Sequence, residues 1–267
     1  MKAKNLLPIG IFDSGIGGLT VWREVVRQFP HESTVYFADQ GHVPYGAHTL
    51  EEVRGYAAHV ARFLLEQDTK LIVVACNAAS GAALHYLREK FPEVPLIGME
   101  PAIKPAVEHT RTGAVGVIVA PVTLQGDLFQ RLTERFAANA SLHAQGCPGL
   151  VEAIEAGALD TPETEKLLRQ YLAPLLAAGI DQLVLGCTHY PFLAPTIRRI
   201  TGPGVALIDP APAVVRQMGR VLAQHGLNAP EDADAHHQFF TSSDAATLAR
   251  QAQTLVGYNG NVESAPF

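Results

Sequence analysis

Cysteine is scarce in this chain: Cys76, Cys147 and Cys187 are the only three in 267 residues. So few thiols exclude a disulfide-stapled scaffold. None belongs to a C-x-x-C pair, which argues against a zinc site and leaves any redox pairing without its usual motif. Charge is sparse too. Charged residues make up 17% of the chain, Lys and Arg form no cluster, and the net charge is −6. A surface that tracks phosphates needs the opposite balance, so no nucleic-acid partner is expected, and an anionic substrate would have to be held by local donors. No apolar run is long enough to span a membrane, and Met1 to Pro8 holds two lysines but no signal-peptide core. The expectation is a cytoplasmic protein with free thiols and no membrane partner. No lysine stands in a context that indicates a Schiff base.

What is abundant is apolar sequence, 48% of the chain, enough for a sizeable core. Strand-length apolar runs at Ile9–Phe12, Thr34–Ala38, Leu71–Ala75, Pro95–Met99, Ala114–Val119, Leu183–Leu185, Val205–Ile208 and Gln238–Thr241 alternate with segments of helical period. Helices are expected at Leu19–Gln28, Leu50–Gln67, Ala79–Lys90, Leu124–Ala137, Pro162–Ala177, Phe192–Ile200, Ala213–Gln224 and Ala245–Leu255. The alternation means βαβ units and mainly parallel sheets. The chain also repeats itself. Pro8-Ile9-Gly10-Ile11-Phe12 and a helix ending Arg27-Gln28-Phe29 parallel Ala114-Val115-Gly116-Val117-Ile118 and a helix ending Glu134-Arg135-Phe136, and each half then carries a cysteine at a strand end. The fold class is therefore α/β: two similar three-layer domains, pseudo-symmetric, with the active site in the cleft between them. The division runs 1–99 plus 209–267 for the first domain and 100–208 for the second.

Three turns carry the chemistry. Val73-Val74-Ala75-Cys76-Asn77-Ala78-Ala79-Ser80 and Val184-Leu185-Gly186-Cys187-Thr188-His189-Tyr190-Pro191 each read as a buried strand that ends on a cysteine and turns into a helix. Open α/β sheets bind ligands at such carboxyl ends, and a helix amino terminus lowers a thiol pKa toward neutrality. An isolated buried cysteine is ordinarily a small core residue. That reading suits Cys147 in Gln145-Gly146-Cys147-Pro148-Gly149. It suits the other two less, because Asn77, Thr188 and His189 follow them directly. The third turn, Asp13-Ser14-Gly15-Ile16-Gly17-Gly18, could cradle an anion, and Asp39 stands where a ribose-binding acid would. However, Thr20 replaces the last glycine of a G-x-G-x-x-G fingerprint, and Asp13 would set a carboxylate against a pyrophosphate. A role for Asp13 in chemistry is the better reading.

Together with Val43-Pro44-Tyr45-Gly46, these turns closely resemble those of the glutamate racemases, in the aspartate/glutamate racemase superfamily. The likeness continues through Pro101-Ala102-Ile103-Lys104-Pro105, Gly149-Leu150-Val151-Glu152 and Phe240-Thr241-Ser242-Ser243-Asp244, and so spans nearly the whole chain. It implies an isomerase that interconverts L- and D-glutamate with neither pyridoxal phosphate nor metal. Cys76 would deprotonate D-glutamate with help from Asp13, and Cys187 would deprotonate L-glutamate with help from His189 and Glu152. Substrate contacts carried over by the resemblance are Asp13, Ser14, Tyr45, Gly46, Asn77, Ala78, Thr188 and His189. It further implies a homodimer in a bacterial cytoplasm, supplying D-glutamate for peptidoglycan.

This chain departs from the family pattern in missing hydroxyls. Ala78, Ala120 and Gly126 stand where threonine, threonine and serine are common, and Gln40-Gly41-His42 is atypical. An aspartate racemase of the same superfamily is the nearest alternative; Cys187-Thr188-His189-Tyr190-Pro191 and Pro44-Tyr45-Gly46 favour glutamate. A nucleotide-binding regulatory protein using the Gly15–Gly18 turn is the alternative of a different class.

Overall fold

Strands that read as unbroken apolar runs should be covered on both faces, and they are. In the computed structural model, which describes residues 3–125, 127–136 and 140–265, the strands β1 (Ile9–Asp13), β2 (Thr34–Ala38) and β3 (Leu71–Val74) are buried at every position. This is the signature of parallel sheet flanked by helices. Helices α1 (Leu19–Gln28), α2 (Leu50–Glu66) and α3 (Asn77–Lys90) supply the crossovers, and β4 (Leu96–Gly98) follows. Helix α2 starts on a reciprocal cap: Thr49 Oγ1 accepts from the Glu52 N–H at 3.3 Å, and Glu52 Oε2 accepts from the Thr49 N–H at 2.8 Å.

The chain divides into two units, Met1–Met99 with Ala211–Phe267, and Glu100–Pro210. The second unit contains α4 (Ile103–His109), β5 (Ala114–Val119), α5 (Pro121–Gln125), α6 (Asp127–Phe136), β6 (Ser141–Gly146), α7 (Leu150–Glu155), α8 (Pro162–Ala177), β7 (Gln182–Gly186), α9 (Ala194–Thr201) and β8 (Ala206–Ile208). The chain then returns to the first unit as α10 (Ala211–Gln224), β9 (His237–Thr241), α11 (Ala245–Val256) and β10 (Val262–Ser264).

The two sheets have one topology. Strand order is β10-β9-β2-β1-β3-β4 in the first unit and β6-β5-β7-β8 in the second, and every pairing among the described residues is parallel. Setting β1 against β5 maps β2, β3 and β4 onto β6, β7 and β8, so the internal repeat seen in sequence is a repeat of strand order. Only β9 and β10 have no counterpart. In both units the order reverses beside the first strand, and this switch point is where doubly wound sheets bind ligands.

The stretch expected to be helical at Leu124–Ala137 is helical through Gln125 in α5 and over Asp127–Phe136 in α6; Gly126 and Ala137 lie outside the described residues. Strands β6 and β10 had no apolar run to announce them. Both are edge strands with few or no buried positions, so they do not need one. In the first unit the core is closed by aromatic packing: Trp22 meets Phe239 edge-on at 5.0 Å, and Phe239 stacks on Tyr258 at 3.7 Å. A buried ion pair between Lys70 and Glu32, 2.5 Å apart, sits at the opposite end of β3 from Cys76.

Candidate active site

Strand β1 ends on Asp13, which is fully buried. Burying a carboxylate costs several kcal/mol unless donors surround it. Here Oδ2 accepts the main-chain N–H groups of Gly15 and Gly18, each at 3.1 Å. Burial of Ile9, Ile11 and Phe12 in the same strand, about 1.5–3 kcal/mol for each side chain, helps carry the acid inside. Gly18 must be glycine, because a Cβ there would lie 2.7 Å from the Asp13 Cβ and 3.2 Å from the Ala75 Cβ. Two of the N–H groups that a phosphate would need are thus already taken by an internal anion, which counts against the nucleotide-binding alternative.

Cys76 follows β3 and is the N-cap of α3. Its sulfur accepts the Ala79 N–H at 3.5 Å, and its thiol donates to Ser14 Oγ at 3.8 Å. A capping position stabilises the thiolate, since the N–H groups and the helix dipole both favour negative charge there. Asn77 is buried next to it, and among the described residues neither its Oδ1 nor its Nδ2 has a hydrogen-bond partner. Buried amides are almost always satisfied, so this one is suited to a polar ligand. Ala78 is only partly buried and packs against the hydrophobic core.

Tyr45 is the buried residue of the turn that follows the cis Val43-Pro44 bond, with Gly46 beside it partly exposed. Its hydroxyl donates to Asp39 Oδ2 at 2.6 Å. Burial, and then the charges of Asp39, Cys76 and Asp13 with the Asp39 hydrogen bond, push the Tyr45 phenol well above its ordinary value. The phenol stays protonated.

In the second unit β7 ends on Gly186, where a Cβ would lie 2.5 Å from Val119 Cγ1 and 3.0 Å from the Ile118 carbonyl oxygen. Cys187, Thr188 and His189 follow, each buried. His189 Nδ1 lies 3.8 Å from Cys187 Sγ, and its Nε2 lies 2.7 Å from Glu155 Oε1. The carboxylate accepts, so the ring hydrogen sits on Nε2 and Nδ1 faces the sulfur. Neutral His189 can take a proton from Cys187, and imidazolium can hold the thiolate.

Sequence reasoning named Glu152 for this place. The structure puts Glu155, one turn further along α7, on His189; Glu152 lies on the exposed side of the helix. The signal that could have found it was the pair of acids three residues apart on one short helix, either of which can face a neighbour.

Cys147, at the end of β6, is buried. Burial, and then the charge of Cys187, push its thiol up to about 12 against one main-chain hydrogen bond from Val119. It is a protonated core thiol. Burial and then Cys187 likewise push the Tyr190 phenol well above its ordinary value. Ala120 is partly exposed at the end of β5. Among the described residues, no group of three or more His, Cys, Asp and Glu could hold a metal ion. No helix there is long and apolar enough to cross a membrane.

The same order of parallel strands recurs in the two units, and a buried cysteine follows the equivalent strand in each. The sequence model of the Asp/Glu/Hydantoin racemase family matches residues 9–218. A glutamate racemase of Roseiflexus sp. (strain RS-1) is 51% identical over 227 residues, 85% of this chain and 84% of that one. The crystal structure of glutamate racemase isoform RacE1 from Bacillus anthracis superposes with a TM-score of 0.87 at 33% identity, covering 97% of each chain. That of the Escherichia coli glutamate racemase in complex with L-glutamate and the activator UDP-MurNAc-ala gives 0.86 at 31% identity, covering 97% of this chain and 98% of that one. The chain belongs to the Asp/Glu/Hydantoin racemase family and, within it, to the glutamate racemases.

Proposed function

We propose that the chain interconverts L- and D-glutamate by a two-base transfer at Cα, with Cys76 and Cys187 as the bases. The observation that carries this reading is that each sulfur has a device for holding a proton or a negative charge. Cys76 has the α3 N-cap and Ser14, and Cys187 has His189 backed by Glu155. In the D-to-L direction the Cys76 thiolate takes the Cα hydrogen and becomes a thiol, while the Cys187 thiol gives its proton to the opposite face and becomes a thiolate. The reverse direction exchanges the roles, as a reaction near equilibrium requires of its acid and base.

Asp13 assists Cys76 from the neighbouring strand end, and Ser14 shares its thiol proton. Asn77, with its unsatisfied amide, and the main chain at Ala78 hold one carboxylate. Tyr45, Gly46, Thr188 and His189 complete the contacts. Donors of this kind stabilise the charge that develops on the α-carboxylate as the proton leaves, work that would otherwise fall to an electron-sink cofactor. Glu155 adds a helper behind His189 that the sequence resemblance did not name. The same likeness supports a homodimer in a bacterial cytoplasm that supplies D-glutamate for peptidoglycan; sedimentation equilibrium tests the assembly.

The test is polarimetric. L-Glutamate incubated with the protein alone should lose its circular dichroism, and Cys76→Ser and Cys187→Ser should each abolish the loss. Undiminished racemisation in either variant would overturn the two-base reading. L-Aspartate in parallel separates the aspartate alternative: comparable turnover of both amino acids would contradict glutamate specificity.

A further inference from the structure

Asp39, at the carboxyl end of β2, belongs to none of the catalytic or substrate assignments above, yet it is fully buried. Three side chains converge on it. Tyr45 Oη donates to Oδ2 at 2.6 Å, Ser242 Oγ donates to Oδ1 at 2.6 Å, and His42 Nδ1 lies 2.8 Å from Oδ1. They come from three separate segments: the Pro44-Tyr45-Gly46 turn, the preceding Gln40–His42 turn, and the residues that follow β9. We propose that Asp39 is a positioning residue, which fixes the Tyr45-Gly46 turn against the substrate and couples that turn to the carboxyl-terminal segment through Ser242.

Two further observations support this. Because the Tyr45 hydroxyl is used by Asp39, what Tyr45 and Gly46 offer a substrate comes from their main chain, and that main chain is only as well placed as the phenol that anchors it. Ser242 is itself held: its Oγ accepts the Gly41 N–H at 2.9 Å, and its own N–H donates to the Ala38 carbonyl at 3.2 Å. The neighbouring residues are pinned by the end of the chain, where the Ala265 N–H donates to the Thr241 carbonyl at 2.7 Å and Ser264 Oγ donates to the Ser243 carbonyl at 2.9 Å. The tail is thus connected to the substrate turn by hydrogen bonds that flank Ser242 along the main chain and by those from Ser242 and Tyr45 to Asp39. A carboxylate suits the junction because it accepts at both oxygens. An amide of the same shape has one acceptor, so Asn at position 39 must set an NH₂ either against Tyr45 or against Ser242 and His42.

The inference rests on glutamate being the substrate, and the experiment separates the two. Racemisation of glutamate is measured for the wild type, Asp39→Asn, Tyr45→Phe, the double variant and Ser242→Ala, with the melting temperature of each. Asp39→Asn and Tyr45→Phe should each raise KM about tenfold or more while kcat stays within about threefold, the scale of one hydrogen bond to a charged group. The double variant should be no worse than the worse single one, since both act through the same bond. Ser242→Ala should raise KM by less, because His42 still faces Oδ1. A merely structural role would lower the melting temperature without dividing KM from kcat.

An unchanged KM in folded, active Asp39→Asn, or additive effects in the double variant, would overturn the proposal. If Asp39→Asn does not fold, an unchanged KM in both Tyr45→Phe and Ser242→Ala overturns it. A wild type inert toward glutamate brings down the substrate reading and this inference together, whereas an active wild type with indifferent variants brings down this inference alone.

Discussion

On the proposed mechanism His189 serves Cys187 in one orientation, and Glu155 holds it there. With the hydrogen fixed on Nε2 by the carboxylate at 2.7 Å, Nδ1 is left to exchange a proton with the sulfur. Glu155→Gln weakens that orientation and removes the charge that supports an imidazolium, so kcat should fall by about 10- to 100-fold, as is usual when an orienting partner is lost. Glu152→Gln on the same helix should stay close to wild type. Equal losses in the two variants would contradict the assignment to Glu155. The third thiol differs from the other two at this scale. With its pKa pushed up to about 12, Cys147 stays protonated near neutrality, so brief treatment of native protein with iodoacetamide at about pH 8 should leave it unmodified. Peptide mass mapping reads this directly, and ready alkylation at Cys147 would show that its burial has been misjudged. The two cysteines, His189, Asn77 and the glycine turn were legible because each breaks the pattern of a core strand end with a polar residue. Glu155 and Asp39 were not chosen as site residues, because their importance lies in contacts between segments distant in sequence.

At the scale of elements, the apolar strands were legible, the edge strands β4 and β8 among them, and the polar edge strands β6 and β10 were not. β1, β2, β3, β5 and β7 are buried at every position because both faces are covered, whereas Ser141-Leu142-His143-Ala144-Gln145-Gly146 forms β6 on the strength of pairing alone. Helix α7 escaped notice for a related reason: six residues are too few to display a period. Tertiary hydrogen bonding also governs how β7 is joined to the loop before β5. Asp181, buried just before β7, accepts from Thr110 Oγ1 at 2.5 Å and from the Arg111 N–H at 2.7 Å. Burial works against its ionisation, but the hydrogen bonds from Thr110 and from the main chain of Arg111 and Thr112 outweigh it and hold the carboxyl below its ordinary value. A depressed carboxylate gives stability that is fully present above its unfolded pKa of about 3.9 and is lost as pH falls through the lower folded value. Asp181→Asn should therefore lower the urea midpoint at neutral pH, and its deficit should shrink as pH drops below about 4. A deficit unchanged down to about pH 2.5 would mean that the hydrogen bonds do not depend on the charge.

At the scale of the whole molecule, the repeat of strand order sets a cysteine after the equivalent strand of each unit: Cys76 after β3 in the first and Cys187 after β7 in the second, with Cys147 as an additional core thiol. Their surroundings are not copies, since one thiol has a helix cap and a hydroxyl while the other has a titratable imidazole. The proposed two-base reaction would therefore run on unlike helpers, and isotope labelling can reveal the two hands separately. In deuterated solvent the base that takes hydrogen from the substrate carries a proton, while the opposite thiol has already exchanged and carries a deuteron. An intermediate that returns to substrate recovers the proton it lost; one that goes forward acquires the deuteron. Label at Cα should therefore appear first in the product enantiomer, with the remaining substrate unlabelled at early times, whether the reaction starts from L- or from D-glutamate. One base serving both faces would exchange its proton with solvent and label substrate and product alike. Equal early labelling from both starting enantiomers would thus overturn the division of labour between Cys76 and Cys187. Equal labelling from one side only would confine the failure to the thiol that acts first in that direction.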